Sequence, residues 1–415
     1  MSFDVIVAGG GSAGVAAAVA AARLGAKTLL IERNGLLGGM ASAALVHSIC
    51  GLYRLPKGDA APVMANQGFA AEFAQRLLSS GGASGPVRMG RVEVLLQRPV
   101  AFAHSCDVLV RETPNLEVRL QSEIVGADAD SVTLAWRGCV EKVCAKVFID
   151  TSGDAVLAAL RGAPCEMETT RLQRPAYIFA LGGVEAGKLS DDARLRIARQ
   201  ISQAVKGTAL PPAALGAHLR ESPQAGEVFV TVDLEGGANY DPLDAACLAR
   251  LEVEGREVAG RLANFLRGVD GFEKSYIAAW PARAGVRESR RIVGRYRLEA
   301  EDLERGAQFD DTVAFAAWPM ELRETATGPR LRFPTGEEPC GIPLRSLRAR
   351  DDAALFMAGR CISCSHEAQA SVRVIGTCLA TGEAAGLAAA LKVLHGECDA
   401  AAVKAAREKI VNEHR

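Results

Sequence analysis

A chain of 415 residues that is 49% hydrophobic and 23% charged can bury a large core, which excludes disordered and fibrous classes. Its 48 Lys+Arg stand against 49 Asp+Glu, so no basic excess serves a nucleic-acid backbone, and nucleic acid is not an expected partner. The 42 glycines and 5% aromatic content favour tight turns and close-packed alanine-rich helices over a β-sandwich. The opening Met1-Ser-Phe-Asp4 lacks the basic region of a signal peptide. The apolar stretch Val372 to Leu391 carries Arg373 and Glu383, which a bilayer-spanning helix holds only at considerable cost. A cytoplasmic protein without a membrane segment is expected, and its eleven cysteines read as small buried hydrophobes rather than a disulfide framework.

Asp4 to Ala8 is a short apolar run suited to a buried parallel strand. Gly9-Gly-Gly-Ser12-Ala13-Gly14 and an alanine-rich helix from Val15 to Leu24 follow it, closed by Gly25. Lys27 to Glu32 is a second buried strand ending in a carboxylate 18 residues beyond Gly14. This is a complete βαβ unit. Gly9 makes the tight turn, Gly11 lets the backbone approach a pyrophosphate, and Gly14 allows helix to pack on strand, with phosphate on the helix N-terminus. Glu32 is placed to accept hydrogen bonds from a ribose and to repel a 2′-phosphate.

Arg33 leads through Gly38-Gly39-Met40 into small residues including Ser42, a continuation that looks like the second half of a flavin site. From this point the sequence resembles the FAD-dependent oxidoreductases related to the flavoprotein subunits of fumarate reductase and succinate dehydrogenase, with a glutathione-reductase-like FAD fold. The resemblance implies FAD rather than NAD. It extends to Val147-Phe-Ile-Asp-Thr151-Ser-Gly153-Asp154, similar to the family's second FAD motif, and to Ile124, whose backbone faces adenine in similar proteins. Upstream, Leu116 to Ile124 and Ser131 to Trp136 read as strands of a small meander, with Cys139 to Val147 leading back into the sheet.

Between residues 166 and 330 the pattern changes to helices at Asp191 to Val205 and Ala245 to Leu266 and a strand at Glu227 to Asp233. Ser190 is the expected N-cap of the first helix and Gly207 its stop. Gly285 to Gly294 and Leu298 to Leu303 match a signature of the same family. The final stretch, Leu355 through Gly359-Arg360 and His366 to Arg373, resembles the closing flavin motif. A helix starting near Ser371 and Val372 is expected to aim its N-terminal dipole at the flavin pyrimidine edge. Gly376, Gly382 and Gly386 are expected to let it lie against the sheet. Arg360 replaces the acidic residue that many flavoproteins place after the loop glycine, and no second nucleotide fingerprint follows.

The expected architecture is α/β: a Rossmann-like FAD-binding domain, with a central parallel sheet plus β-meander, over 1–165 and 331–415. An inserted α+β substrate domain is expected over 166–330. The flavin carries the hydride, so few residues are needed to orient substrate and move a proton. His366 stands where a proton donor near the ring would stand, or as the partner of a helix cap. His47 lies where the chain passes the flavin in similar proteins. Its alternatives are proton transfer, covalent attachment and the commoner hydrogen-bonded structural role, and the flavin is expected to be noncovalent. Arg287 and Arg290, beside Glu288 and Arg291, could clamp an anionic substrate, or form a solvated charge run. Cys361 and Cys364 read as two small residues in a packed loop, and no metal site is expected. The function read from these features is oxidoreduction of a small organic substrate by FAD, in a chain compatible with a homo-oligomer. The alternatives are an electron-transfer component serving a redox partner and a flavin-binding protein without turnover; the electron donor or acceptor is left open.

Overall fold

The computed structural model describes residues 2–58, 60–236, 240–325, 328–396 and 398–413. Ser2–Ala8 lies between Thr28–Ile31 and the last residues of Cys139–Asp150, parallel to both, with Val5 opposite Thr28 and Val147. Leu116–Arg119 extends the sheet beyond Thr28–Ile31, and Leu355–Met357 adds on the far side of residues 148–150. Both faces are covered, which is why these strands are continuous apolar runs rather than alternating ones. Val5, Ile6, Val7, Leu29 and Leu30 are fully buried. Cys139–Asp150 joins the parallel and antiparallel parts of one seven-stranded sheet. Its first half pairs antiparallel with Ser131–Trp136 in the meander and its second half joins the parallel sheet, so one 12-residue strand locks both together.

The helix Ser12–Arg23 and the closing helix Ile375–His395 cross in close contact under this sheet. A Cβ at Gly382 would lie 2.1 Å from the carbonyl oxygen of Ala13, and one at Gly386 would lie 2.2 Å from that of Ala17. These two glycines therefore face the first helix rather than the sheet, and Gly376 faces the backbone of Gly51 and Leu52. With no side chain between them the backbones approach, and the alanines of both helices fill the remaining space. Ile375–His395 is long and apolar enough to cross a bilayer by length and composition, but most of it is buried inside the protein.

The inserted unit is built on a four-stranded antiparallel sheet in the order His218–Glu221, Val228–Asp233, Ala176–Gly182, Tyr276–Ala279. Of these strands only Val228–Asp233 was expected, although Ala176–Gly182 is also a continuous apolar run. Side chains alternate across a strand, so the sheet has two unlike faces. Tyr177, Phe179, Leu181, Leu219, Val228, Val230 and Val232 bury one face against Asp191–Lys206 and Ala245–Leu266. Both helices start on a side-chain cap: Ser190 Oγ accepts from Ala193 N at 3.3 Å and Asp244 accepts from Cys247 N at 2.8 Å. The other face carries Ala176, Ile178, His218, Arg220, Phe229 and Thr231. The core of this unit draws on residues 177–284, whereas Ile292 and Leu298 already pack into the first core.

Candidate functional site

The parallel strands end together at Ala8, Ile31, Asp150 and Met357, and a cleft opens at this edge, where α/β sheets bind ligands. The three signature glycines serve different ends. Gly9 has φ +100° and a Cβ there would lie 2.8 Å from Thr151 O, while a Cβ on Gly14 would lie 1.8 Å from Gly9 O. Both are demanded by the chain's own packing. At Gly11 a Cβ would meet nothing nearer than Gly39 Cα at 3.9 Å, so the protein itself does not require that glycine. No side chain caps the helix that starts at Ser12, and its first N–H groups remain available at the cleft.

Glu32 is buried at the cleft floor. It accepts from Gly10 N at 2.7 Å and from Asn34 N and Nδ2 at 2.8 and 2.6 Å, which fixes the carboxylate while leaving lone pairs free. Asp154 stands behind the cleft, joined to Arg360 at 2.7 Å, to Ser289 Oγ at 2.7 Å and to Arg33 at 3.6 Å. Burial would raise its pKa, but Arg360 and Ser289 outweigh this and hold the carboxyl below the usual range. Arg283 reaches the cleft from the inserted unit and among the described residues makes no ion pair. Burial, with Arg33 nearby, pulls it down to about 10. A mostly buried guanidinium in no ion pair among the described residues, beside an uncapped helix N-terminus, fits a pyrophosphate.

A second cavity, of about 530 Å³, shares Met40, Arg360, Arg373 and Ile375 with the cleft. One wall is the polar face of the inserted sheet, with His218 and Arg220 two residues apart on one strand and Thr231 opposite His218. His47 stacks on Phe229 of the same face, with ring centroids 4.8 Å apart. Burial, with Arg220 nearby, lowers the His47 pKa to about 4 despite its contact with Leu45 O, and burial with Arg323 lowers His218 to about 3. Both imidazoles are neutral at pH 7.

Arg287 donates to Arg174 O at 2.5 Å and pairs with Asp233 at 2.8 Å; Arg323 pairs with Asp233 at 2.8 Å and Glu321 at 2.7 Å. Arg373 donates to Gln173 Oε1 at 3.1 Å and Glu321 O at 3.3 Å, while its Nε is buried without a partner. Among the described residues neither Arg220 nor Arg373 is in an ion pair, and Thr231 Oγ1 is buried and unpartnered. Arg287 and Arg323 offset the carboxylates of Asp233 and Glu321, and Arg220 and Arg373 add two further guanidiniums to the lining, leaving the cavity positive among the described residues.

A family model described as FAD dependent oxidoreductase matches residues 4–410. The chain belongs to this family. The oxidoreductase is an enzyme and FAD is its cofactor. It is 36% identical over 141 residues to the tRNA uridine 5-carboxymethylaminomethyl modification enzyme MnmG of Campylobacter fetus, covering 31% of this chain and 21% of that protein. The MnmG of Nitratiruptor sp. is 37% identical over 130 residues, covering 29% and 19%. The match spans about a fifth of the length of these curated relatives. Among solved structures, the oxidoreductase is similar to the p-nitrophenol 4-monooxygenase PnpA of Pseudomonas putida, with 11% identity, 96% and 82% of the two chains covered and a TM-score of 0.48. A geranylgeranyl bacteriochlorophyll reductase-like protein of Thermoplasma acidophilum is 13% identical, with 100% and 84% covered and a TM-score of 0.46.

The residues expected at the cofactor of the oxidoreductase fall into three groups. Gly9, Gly11, Ser12, Ala13, Glu32, Arg33, Gly39, Met40, Ile124, Thr151, Gly153, Gly359 and Arg360 line the cleft. Gly14, Gly38, Ser42 and Asp154 support it from behind: Gly38 N donates to Gly10 O at 2.8 Å and Ser42 Oγ to Leu37 O at 2.5 Å. Ser371 and Val372 line neither cavity. They end a separate short helix, His366–Val372, and Ser371 Oγ donates to Trp318 O at 2.5 Å. The closing helix starts at Ile375 with Val374 as its N-cap, a break marked by neither glycine, proline nor a polar cap and so invisible in the sequence.

The expected catalytic residues also separate. His47 and Arg287 line the second cavity. Arg290 lines neither: its Nε donates to Asp154 O at 3.0 Å. His366 is held between Glu288 at 2.9 Å and Glu324 at 3.0 Å, and it too lines neither cavity. Glu288 is fully buried and joined to Arg291 at 2.6 Å, so these charges neutralise one another instead of facing substrate. Cys361 and Cys364 are buried free thiols outside both cavities, and burial pushes Cys364 up to about 12. Arg220, His218, Thr231, Arg283 and Arg373 were not among the expected site residues. For His218 and Arg220 the available signal is His-Leu-Arg-Glu, a short alternation of polar and apolar residues.

Proposed function

We propose that the oxidoreductase transfers a hydride between flavin N5 and a small organic anion held in the cavity beside Arg220. The observation that carries this reading is a mostly buried guanidinium, in no ion pair among the described residues, in a net positive cavity that shares lining residues with the dinucleotide cleft. In this reading Glu32, Ile124 and Thr151 hold the adenosine half of FAD. The N-terminus of the first helix and Arg283 meet its pyrophosphate, and Arg360, braced by Asp154, closes the cleft. Met40, Arg373 and Ile375 border both spaces and so flank the reacting end. Bound FAD supplies the two-electron chemistry. Everything else is orientation and proton traffic. Arg220 orients the anion, and neutral His47 and His218 accept rather than donate a proton, which suits oxidation of the substrate. An anion bound beside them raises their pKa values toward neutrality.

The relation to fumarate reductase and succinate dehydrogenase flavoproteins belongs to this reading. It is supported by the matched stretches around Gly285 to Gly294 and the closing motif. The flavin is taken to be noncovalent, since His47 is already stacked on Phe229. All eleven cysteines are free, which supports a reducing, cytoplasmic setting. The test is anaerobic bleaching of bound FAD by a panel of organic substrates. Organic anions should bleach it, and Arg220→Met should raise the required concentration at least about 30-fold with FAD content intact. Equal response to neutral analogues, or an unchanged Arg220→Met, would overturn the reading; yellow colour left in an acid-precipitated pellet would overturn the noncovalent part.

A further inference from the structure

The second cavity has a polar wall on the inserted sheet. There Arg220, His218 and the unpartnered Thr231 hydroxyl gather on one sheet face, near residues shared with the dinucleotide cleft. Toward solvent the walls are supplied by two antiparallel hairpins, Ala83–Met89 with Val92–Gln97 and Met320–Leu322 with Arg330–Arg332. Met89, Val94, Trp318, Leu331 and Phe333 line this outer part. Leu331 is 45% exposed at the rim, and the Arg91 guanidinium covers the Phe333 ring at 4.0 Å from its centroid. A short polar anion would occupy the inner end and leave these walls wet.

Resting on the reading of this cavity as the substrate site, we propose that the substrate is an amphiphilic carboxylate: an organic acid whose carboxylate sits against Arg220 and Thr231 and whose apolar body runs outward between the two hairpins. A single carboxylate is favoured because the far end of the substrate would lie among Met89, Val94, Trp318 and Leu331, where a second negative group would lose its hydration without gaining an ion pair. The apolar body is favoured because each methylene that leaves water for such a wall tightens binding about four-fold. Arg91, stacked over Phe333 at the mouth, covers apolar surface with its guanidinium face while remaining hydrated.

The test uses the FAD-loaded full-length protein titrated with butyrate, hexanoate, octanoate, octylamine and succinate, read by calorimetry and by the visible absorption of the flavin. Affinity should rise about four-fold per methylene from butyrate to octanoate, octylamine should not bind, and succinate should bind no tighter than butyrate. Arg220→Met should weaken octanoate at least about 30-fold at unchanged FAD content, and Leu331→Asp, at the exposed rim, should flatten the chain-length series. A flat series in the wild type, an amine that binds as well as the acid, or succinate as the tightest ligand would overturn the proposal. If these acids fail while another organic anion bleaches the flavin, the substrate class is wrong and the oxidoreductase reading of the cavity stands. If the acids bind as expected while no unsaturated or hydroxylated relative of them reduces or reoxidises the flavin, the binding site stands and the hydride-transfer reading falls.

Discussion

The crossing of the first and closing helices and the inserted antiparallel sheet solve opposite problems. At the crossing the backbones meet directly at Gly382 and Gly386, which leave no room for a single carbon. In the sheet, one face is filled with aromatic and β-branched side chains and the other is left partly unsatisfied, with Thr231 Oγ1 buried and unpartnered and Arg220 in no ion pair among the described residues. Tight, fully satisfied packing positions a cofactor that does not change from one turnover to the next. Unsatisfied groups are useful where a ligand must come and go, because the ligand completes what the fold leaves open.

The largest effect should come from breaking the crossing. Gly386→Val would drive its side chain into the Ala17 carbonyl and should destabilise the protein by about 3 kcal/mol or more, read as a fall in Tm and loss of FAD-loaded material. Asp154→Asn should come next. It leaves Arg360 without its partner in a mostly buried position, at a cost of about 3 kcal/mol, with weakened FAD retention on dilution. Gly11→Val separates folding from cofactor binding. Because only the cleft lies beyond Gly11, the variant should fold with a Tm close to that of wild-type apoprotein yet bind FAD at least about 100-fold more weakly; equal flavin occupancy would show that the cleft is not the FAD site.

His366 yields a pH signature instead of a catalytic one. Burial lowers its pKa, but the hydrogen bonds and charges of Glu288 and Glu324, with Glu367 nearby, outweigh burial and raise it above 6.5. A raised folded value means that its stabilising contribution is complete below about pH 6.5 and is lost as pH rises through the folded value. The Tm advantage of wild type over His366→Gln should therefore shrink as pH climbs above 6.5, with FAD content unchanged. An advantage that grows with pH would contradict the network. The smallest effect belongs to the open face. Thr231→Val removes an unpartnered buried hydroxyl and should be neutral or stabilising by up to about 1 kcal/mol, while weakening carboxylate binding.

The cofactor half was legible because its determinants are local. Strand, glycine turn, helix and Glu32 follow one another within the first 32 residues, and the geometry they impose depends on little beyond that segment. The substrate half was largely hidden. Arg287 was a candidate, but His218, Arg220, Thr231 and Arg373, which line the cavity with it, come from three other stretches of chain that no spacing rule links to it. Arg287 and Arg290 look equivalent in sequence, yet one lines the cavity and the other holds the backbone of Asp154. His366 looked catalytic from its neighbours along the chain, and its actual neighbours, Glu288 and Glu324, are 78 and 42 residues away.

What the sequence determined by itself is therefore the α/β class and the dinucleotide turn, because short-range sterics of glycine and the period of apolar residues dictate them, while the choice of FAD came from the resemblance of its motifs to a flavoprotein family. What only the tertiary structure decided is which charges neutralise one another and which remain available. Arg360 is held by Asp154, whereas Arg220 is in no ion pair among the described residues, and that difference is set by long-range sheet pairing and burial, whose outcome no local pattern encodes.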